Sequence, residues 1–172
     1  MLRRMIGAAT LNTSVYEEVE ADRSATVQAL AVVILVSLVS GIGFLIDGDF
    51  SRMFGMVIGS IFLWGLLALT TYVAGTTLFR GAETEADWGQ LLRTLGFAQS
   101  PRILFLFAPV GGVIGVTIFI AAWFWWLVAS VIAVRQALDY RSTLRAVNVT
   151  MVGFLPQIFL IVLVLRQGQG TS

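Results

Sequence analysis

From Ile103 to Val134 the chain runs for 32 residues without a charged side chain. As one α-helix that run would be about 48 Å long, against a bilayer hydrocarbon core of about 30 Å. It is too long for one comfortable crossing and too short for two. Pro109, Gly111 and Gly112 mark a reversal inside it, because proline sets up a turn and glycine accepts positive φ. One crossing then covers 115–134. The other must recruit "LLRTLGFAQSPR" upstream, which gives a span over 91–110 kinked at Ser100-Pro101 and carrying Arg102.

Three further uncharged stretches fall in the same chain, over 24–46, 53–79 and 147–165. With 58% hydrophobic residues and a mean hydropathy of +0.89, the composition lies beyond the roughly 45–50% apolar content of soluble domains. The expected fold is therefore all-α: a polytopic membrane domain over 24–166 with five transmembrane helices, then a short disordered tail over 167–172. Residues 1–23 read as a cytosolic or interfacial segment of short amphipathic helices. Leu2, Met5, Ile6 and Ala9 recur at helical spacing with Arg3 and Arg4 turned away. Ser14 to Glu17 has the S-x-x-E pattern of a capping box opening a second helix. The apolar stretch before it is too short for a cleaved signal peptide, so these residues are expected to be retained. Further on, Thr84 and Asp87 can cap a helix with Trp88, Leu91, Leu92 and Leu95 on one face.

Arginine positions discriminate between four and five crossings. With five, Arg3, Arg4, Arg23, Arg80, Arg93, Arg135, Arg141 and Arg145 share one side, against Arg52 and Arg166 on the other. With four, the division weakens to seven against four. The stronger bias favours five, with a cytosolic N-terminus and a C-terminus on the outer side.

Chemistry is narrowed by what the chain lacks. There is no cysteine and no histidine, which removes thiol catalysis, haem ligation, Cys/His zinc sites and histidine triads. All eleven basic residues are arginine, so Schiff-base and P-loop lysine chemistry are absent too. A net charge of +1 gives no footprint for nucleic acid. The acidic run Glu17, Glu18, Glu20 and Asp22 lacks the glycine turn and distributed ligands of a calcium loop. Asp47 and Asp49 stand in a short turn with no partner for hydrolysis. The expectation is a protein that is not an enzyme and uses neither cofactor nor metal.

The spans contain no Asp or Glu, so Arg102 has no intramembrane counter-ion. On a continuous helix from Leu91 it would lie about 16 Å along the axis, where an arginine costs at least a few kcal/mol. Gln99, Asn148 and Gln157 are its candidate companions in a polar intramembrane site. Two readings stay open: the side chain snorkels past the kink to the inner headgroups, or it lines a pocket for a lipid headgroup or an anion. Small residues recur four apart at Ser37/Gly41, Gly55/Gly59, Thr71/Gly75 and Gly111/Gly115, the spacing at which helices approach closely. Trp123, Trp125 and Trp126 fall near the middle of the fourth span. They are expected to fill the bundle or meet lipid tails.

The order "SVYEEVEADRSATVQAL" before the first span, "LLRTLGFAQSP" entering the third, and "AVRQALDYRSTLRAVNV" between the fourth and fifth resembles the bacterial branch of the Yip1 domain family. The resemblance covers nearly the whole chain and implies a five-helix integral membrane domain with a cytosolic N-terminus. For eukaryotic members it implies Golgi and ER traffic, with Rab-type GTPases bound through a long cytosolic N-terminal region. Only about two dozen residues precede the first span here, so a GTPase partner is not expected. For bacterial members it implies a small protein of the inner membrane and supplies no catalytic residues. The expected function is membrane organisation or scaffolding, with lipids, further copies of the chain or other membrane proteins as partners. The alternative is a small transporter, channel or lipid-translocating protein built around Arg102.

Overall fold

The computed structural model describes residues 1–80 and 86–169, and all secondary structure among them is helical. Two short helices, α1 (Leu2–Ala9) and α2 (Thr13–Ala21), precede α3 (Ala25–Ser40), α4 (Ile42–Ile46) and α5 (Phe50–Val73). A π-helical turn, Ala74–Leu78, ends α5; α6 (Trp88–Phe97) leads into a 3₁₀ segment, Ser100–Val110, and α7 (Gly112–Ala137) and α8 (Thr143–Gln169) complete the bundle.

Three stretches are long and apolar enough to cross a bilayer: Phe50–Leu78, Gly112–Ala137 and Thr143–Leu163, with hydropathies of 2.0, 2.1 and 2.0. The five spanning helices expected from the sequence thus reduce to three. In the first expected span, Gly41 interrupts the helix between α3 and α4, and the 16 residues of α3 reach only about 24 Å. In the third, α6 stops at Phe97 and the chain rewinds as 3₁₀ from Ser100. Pro101 and Pro109 lack the N–H that an α-helix would use. Ser100 adds a bond from its Oγ to the Phe97 carbonyl, 2.6 Å away, which satisfies an acceptor left free at the end of α6.

Ends are fixed by local chemistry. Asn12, rather than the expected Ser14, caps α2: its Oδ1 accepts from the Ser14 amide at 3.1 Å and the Ser14 hydroxyl at 2.7 Å. Asn in extended backbone is as good a cap as Ser and lies one residue before the helix. Asp87 caps α6 and forms a reciprocal pair with Gln90, as expected of it, whereas Thr84 lies outside the described residues. Gly111, at φ 76°, turns the chain from the 3₁₀ segment into α7. Helix α8 passes through Pro156 and continues to Gln169. The first residues of the expected tail are therefore helical, and 170–172 lie outside the described residues.

Helix α6 occupies the middle of the bundle, with α2, α3, α5 and α7 around it. Leu91 and Leu95 are fully buried, as the spacing predicts, while Trp88 and its ring remain exposed at 46%. Gly96 permits α6 to approach α3 closely: a Cβ there would meet the Ala29 Cβ of α3 at 2.7 Å. On α3, Ala25, Ala29, Val32, Val33 and Val36 form the matching buried stripe, one helical face repeating every three or four residues.

At one end of the bundle, polar contacts tie together segments far apart in sequence. Gln90 donates to Glu20 at 3.0 Å and Gln136 to Glu17 at 2.8 Å. Arg93, counted from the sequence as a loop charge, is buried and donates to the Val19 and Glu20 carbonyls at the end of α2. Tyr140, in the α7–α8 turn, sets its hydroxyl 2.9 Å from the carbonyls of Gly75 and Phe79. Arg3 and Arg4 are not merely turned outward: they bind Glu18, and Arg4 also binds Asp22, which pins α1 to α2. Trp125 holds the other side of α1 by donating to the Ala9 carbonyl at 2.7 Å. Met5 of α1 faces inward, whereas Leu2 and Ile6 are exposed.

Candidate functional site

The 3₁₀ segment gives Arg102 a defined direction. With three residues per turn, side chains three apart eclipse one another, so Gln99, Arg102, Phe105 and Ala108 fall in a single row. All four line one cavity of about 500 Å³. Ile103, Leu106, Phe107 and Val110 project from the opposite side and are exposed. An α-helix would have spread the first row over much of its circumference, because its repeat is 3.6 residues.

Arg102 folds over Trp126, with its Cζ 4.7 Å from the ring centroid, and lies 5.4 Å from the Phe105 centroid. A guanidinium stacked on aromatic faces in this way gains cation–π energy. Its Nη1 donates to Gln99 Oε1 at 2.8 Å. Its Nε is buried without a hydrogen-bond partner, and so is the indole Nε1 of Trp126. Arg102 lines the cavity together with Gln99, Phe105 and Trp126.

Facing this row are Ser60 and Leu63 of α5, Phe119 and Trp123 of α7, and Gln157 of α8. Gln157 is oriented by a bond from its Nε2 to the Leu63 carbonyl, 3.1 Å away. Phe105 stacks on Phe119 with centroids 4.9 Å apart, which closes the apolar part of the wall. Among the described residues, no carboxylate lines the cavity. The site is therefore one cation with surplus N–H donors, set beside a mostly aromatic and aliphatic surface.

Three of the four residues grouped from sequence, Gln99, Arg102 and Gln157, are brought together. Asn148 is not: it is exposed and absent from the cavity wall. Nine residues separate it from Gln157 on α8, and at 3.6 residues per turn that is about half a rotation away. Trp126 is the partner that the sequence reading missed, having treated it only as bulk. No local spacing links positions 24 residues apart, so only the packing of the 3₁₀ segment against α7 reveals the pair.

The small-residue pairs divide by use. A Cβ at Gly41 would strike the Met53 and Met56 sulfurs, and one at Gly75 would strike Leu138. Gly115 lies against the Ala108 carbonyl. Ser37 is buried, with its hydroxyl bonded to the Val33 carbonyl at 2.7 Å, and Gly111 serves the turn. Gly55 and Gly59 differ, with nothing of this chain within 4 Å of a Cβ built there.

A second polar recess, of about 380 Å³, lies at the end where α2 meets α7, with Glu17, Glu20, Arg135, Asp139 and Arg141 among its walls. Burial pushes the Glu20 carboxyl up to about 7, aided by the nearby charge of Asp139 and opposed by Arg93. Hydrogen bonds from Arg3 and then Arg4 hold Glu18 below the usual carboxylate range. Asp22 falls to about 2 through its bond from Ser24 and then that from Arg4. Among the described residues, no group of three or more Asp or Glu side chains is arranged to hold a metal. Asp49 accepts from the Arg52 amide at 3.0 Å and so serves as the N-cap of α5.

Among known proteins, the model of the Yip1 domain family matches residues 10–164. No curated protein and no solved structure matches the chain.

Proposed function

The chain belongs to the Yip1 domain family, and from that premise we propose a non-enzymatic membrane-organising or scaffold protein of the bacterial inner membrane. The observation that carries this reading is the division of the surface. Phe54, Ile58 and Phe62 on α5, Ile114 on α7, and Leu155 and Phe159 on α8 are exposed apolar side chains. They are fitted to lipid or to other membrane helices rather than to water. Charged side chains collect instead where α1, α2 and the α7–α8 turn meet.

The five-pass arrangement belongs to the same proposal. It is supported by the contacts of Gln90 with Glu20 and Gln136 with Glu17, which join the N-terminal segment to the start of α6 and the end of α7 at one face. These are segments assigned to the cytosol by the arginine bias. In this reading α6 and the 3₁₀ segment cross as one composite element, about 15 Å of α-helix and about 22 Å of 3₁₀. Helices α3 and α4 cross together in the same way.

Single-molecule counting in lipid nanodiscs tests the organising role. Dimers or larger assemblies that dissociate when Gly55 and Gly59 are replaced by leucine are expected. A strictly monomeric parent chain with no lipid preference would overturn it. The gathering of Gln99, Arg102 and Gln157 in one cavity favours a second reading, a lipid-translocating or transport protein. There the parent chain moves lipid or solute across a liposome wall and Arg102→Ala does not; no flux in the parent ends that reading.

A further inference from the structure

The cavity around Arg102 is unbalanced in a way that specifies its occupant. Arginine offers five N–H donors, yet among the described residues Arg102 makes one side-chain hydrogen bond, to neutral Gln99. Its Nε and the Trp126 Nε1 are both buried without partners. Unpaired donors of this kind are costly in a low-dielectric interior. Among the described residues, no carboxylate of the lining supplies the missing charge. What complements these groups is an oxyanion, which takes charge-assisted bonds from guanidinium.

The remainder of the cavity is apolar. One turn and two turns beyond Arg102 along the 3₁₀ row stand Phe105 and Ala108, and across from them are Phe119 and Trp123. A free, fully hydrated anion gains nothing from these walls. An oxyanion joined to a hydrocarbon chain matches both parts, with its head at Gln99, Arg102 and Trp126 and its chain along Phe105 and Phe119. The volume, about 500 Å³, lies within the range of small-molecule sites, about 300–1,000 Å³. We infer that this cavity binds an anionic amphiphile, a phosphate or carboxylate head on an acyl chain, with Arg102 and Trp126 as its head-binding residues. This assignment goes beyond the organising role and does not require it.

Native mass spectrometry of the full chain, offered equal amounts of phosphatidylglycerol and of diacylglycerol with the same acyl chains, tests the inference. The parent is expected to retain phosphatidylglycerol roughly tenfold or more over diacylglycerol, which lacks the oxyanion, the ratio that one charge-assisted hydrogen bond sustains. Arg102→Gln should bring the two within about twofold, and Trp126→Phe should lower the preference while keeping the ring. No preference in the parent, or an unchanged preference in folded Arg102→Gln, would overturn the proposal. Competition by millimolar inorganic phosphate separates the sources: failure to displace the lipid supports the amphiphile, and full displacement overturns it in favour of a free anion. A measurement on the unmodified chain covers the case in which Arg102→Gln does not fold. Phosphatidylglycerol with brominated acyl chains should quench tryptophan emission more than the brominated diacylglycerol does, through Trp123 and Trp126. Equal quenching by the two lipids would count against the site.

Discussion

Replacing Gly96 by alanine adds one methyl group at the tightest point between α3 and α6. The new Cβ would lie 2.7 Å from the Ala29 Cβ, 3.2 Å from its Cα and 3.3 Å from its carbonyl oxygen. Carbon atoms in contact prefer about 3.5–4.0 Å, so the two helices must part by roughly 1 Å. Ala29 is fully buried, and two of the three atoms met are backbone, which leaves no flexible side chain to yield. Overpacking of this kind costs about 1–3 kcal/mol, while Gly→Ala in a helix returns up to about 1 kcal/mol. Gly96 is the penultimate residue of α6, where that gain is smaller. The net loss is expected at about 1–2 kcal/mol, or roughly 3–6 °C in melting temperature for a chain of this size. Thermal unfolding in detergent, followed by far-UV circular dichroism, measures it. Ala29→Gly should relieve the contact, so the double variant should be more stable than the sum of the single effects by about 1 kcal/mol. A Gly96→Ala chain as stable as the parent, or strict additivity in the cycle, would refute the close-packing argument.

Two further perturbations probe the polar end of the bundle. Glu20 titrates near 7 in the fold against an ordinary 4.5, so its stabilising contribution is present below about pH 4.5 and lost as pH rises through about 7. The full shift would be worth about 3 kcal/mol, which solvent screening of this half-buried group reduces to about 1 kcal/mol. Unfolding free energies at pH 5 and pH 8 should therefore differ by about 1 kcal/mol in the parent and be nearly equal in Glu20→Gln; an identical slope in both would exclude this origin. Tyr140→Phe removes the hydroxyl that lies between the Gly75 and Phe79 carbonyls. It should cost about 1–2 kcal/mol, seen as a lower melting temperature and faster amide exchange around the π-helical turn. An unchanged melting temperature would show that the contact contributes nothing.

The long uncharged runs made α5, α7 and α8 legible in the sequence, because a bilayer-length apolar stretch leaves few alternatives. The expected 115–134 and the observed Gly112–Ala137 differ by three residues at each end, as helix ends do when defined only by the first charge or glycine. The segment over 91–110 was harder. Its hydrophobicity is that of a span, but proline at 101 and 109 decides how the backbone winds, and no pattern of apolar residues records a change from α to 3₁₀. That change in turn decides which side chains share a face. Gln99 and Arg102, three apart, were found as neighbours, but Trp126 was not, because it reaches Arg102 only through packing. Asn148 was grouped with them on residue type alone, and its half-turn offset from Gln157 puts it outside. The capping error at Ser14 was smaller: the helix starts at Thr13, so Asn12 is the cap and takes the Ser14 amide and hydroxyl itself.

The proposed five-pass topology puts the N-terminal segment and the α7–α8 turn on the cytosolic face, with the α4–α5 turn and the Gly111 turn on the other. Since the chain has no cysteine, single cysteines introduced at Ser14, Ser51, Gly112 and Ser142 can be labelled without background. A membrane-impermeant maleimide applied to intact cells should react at positions 51 and 112, and at positions 14 and 142 only after the inner membrane is opened. Labelling of position 142 from outside, together with position 51, would contradict the five-pass account.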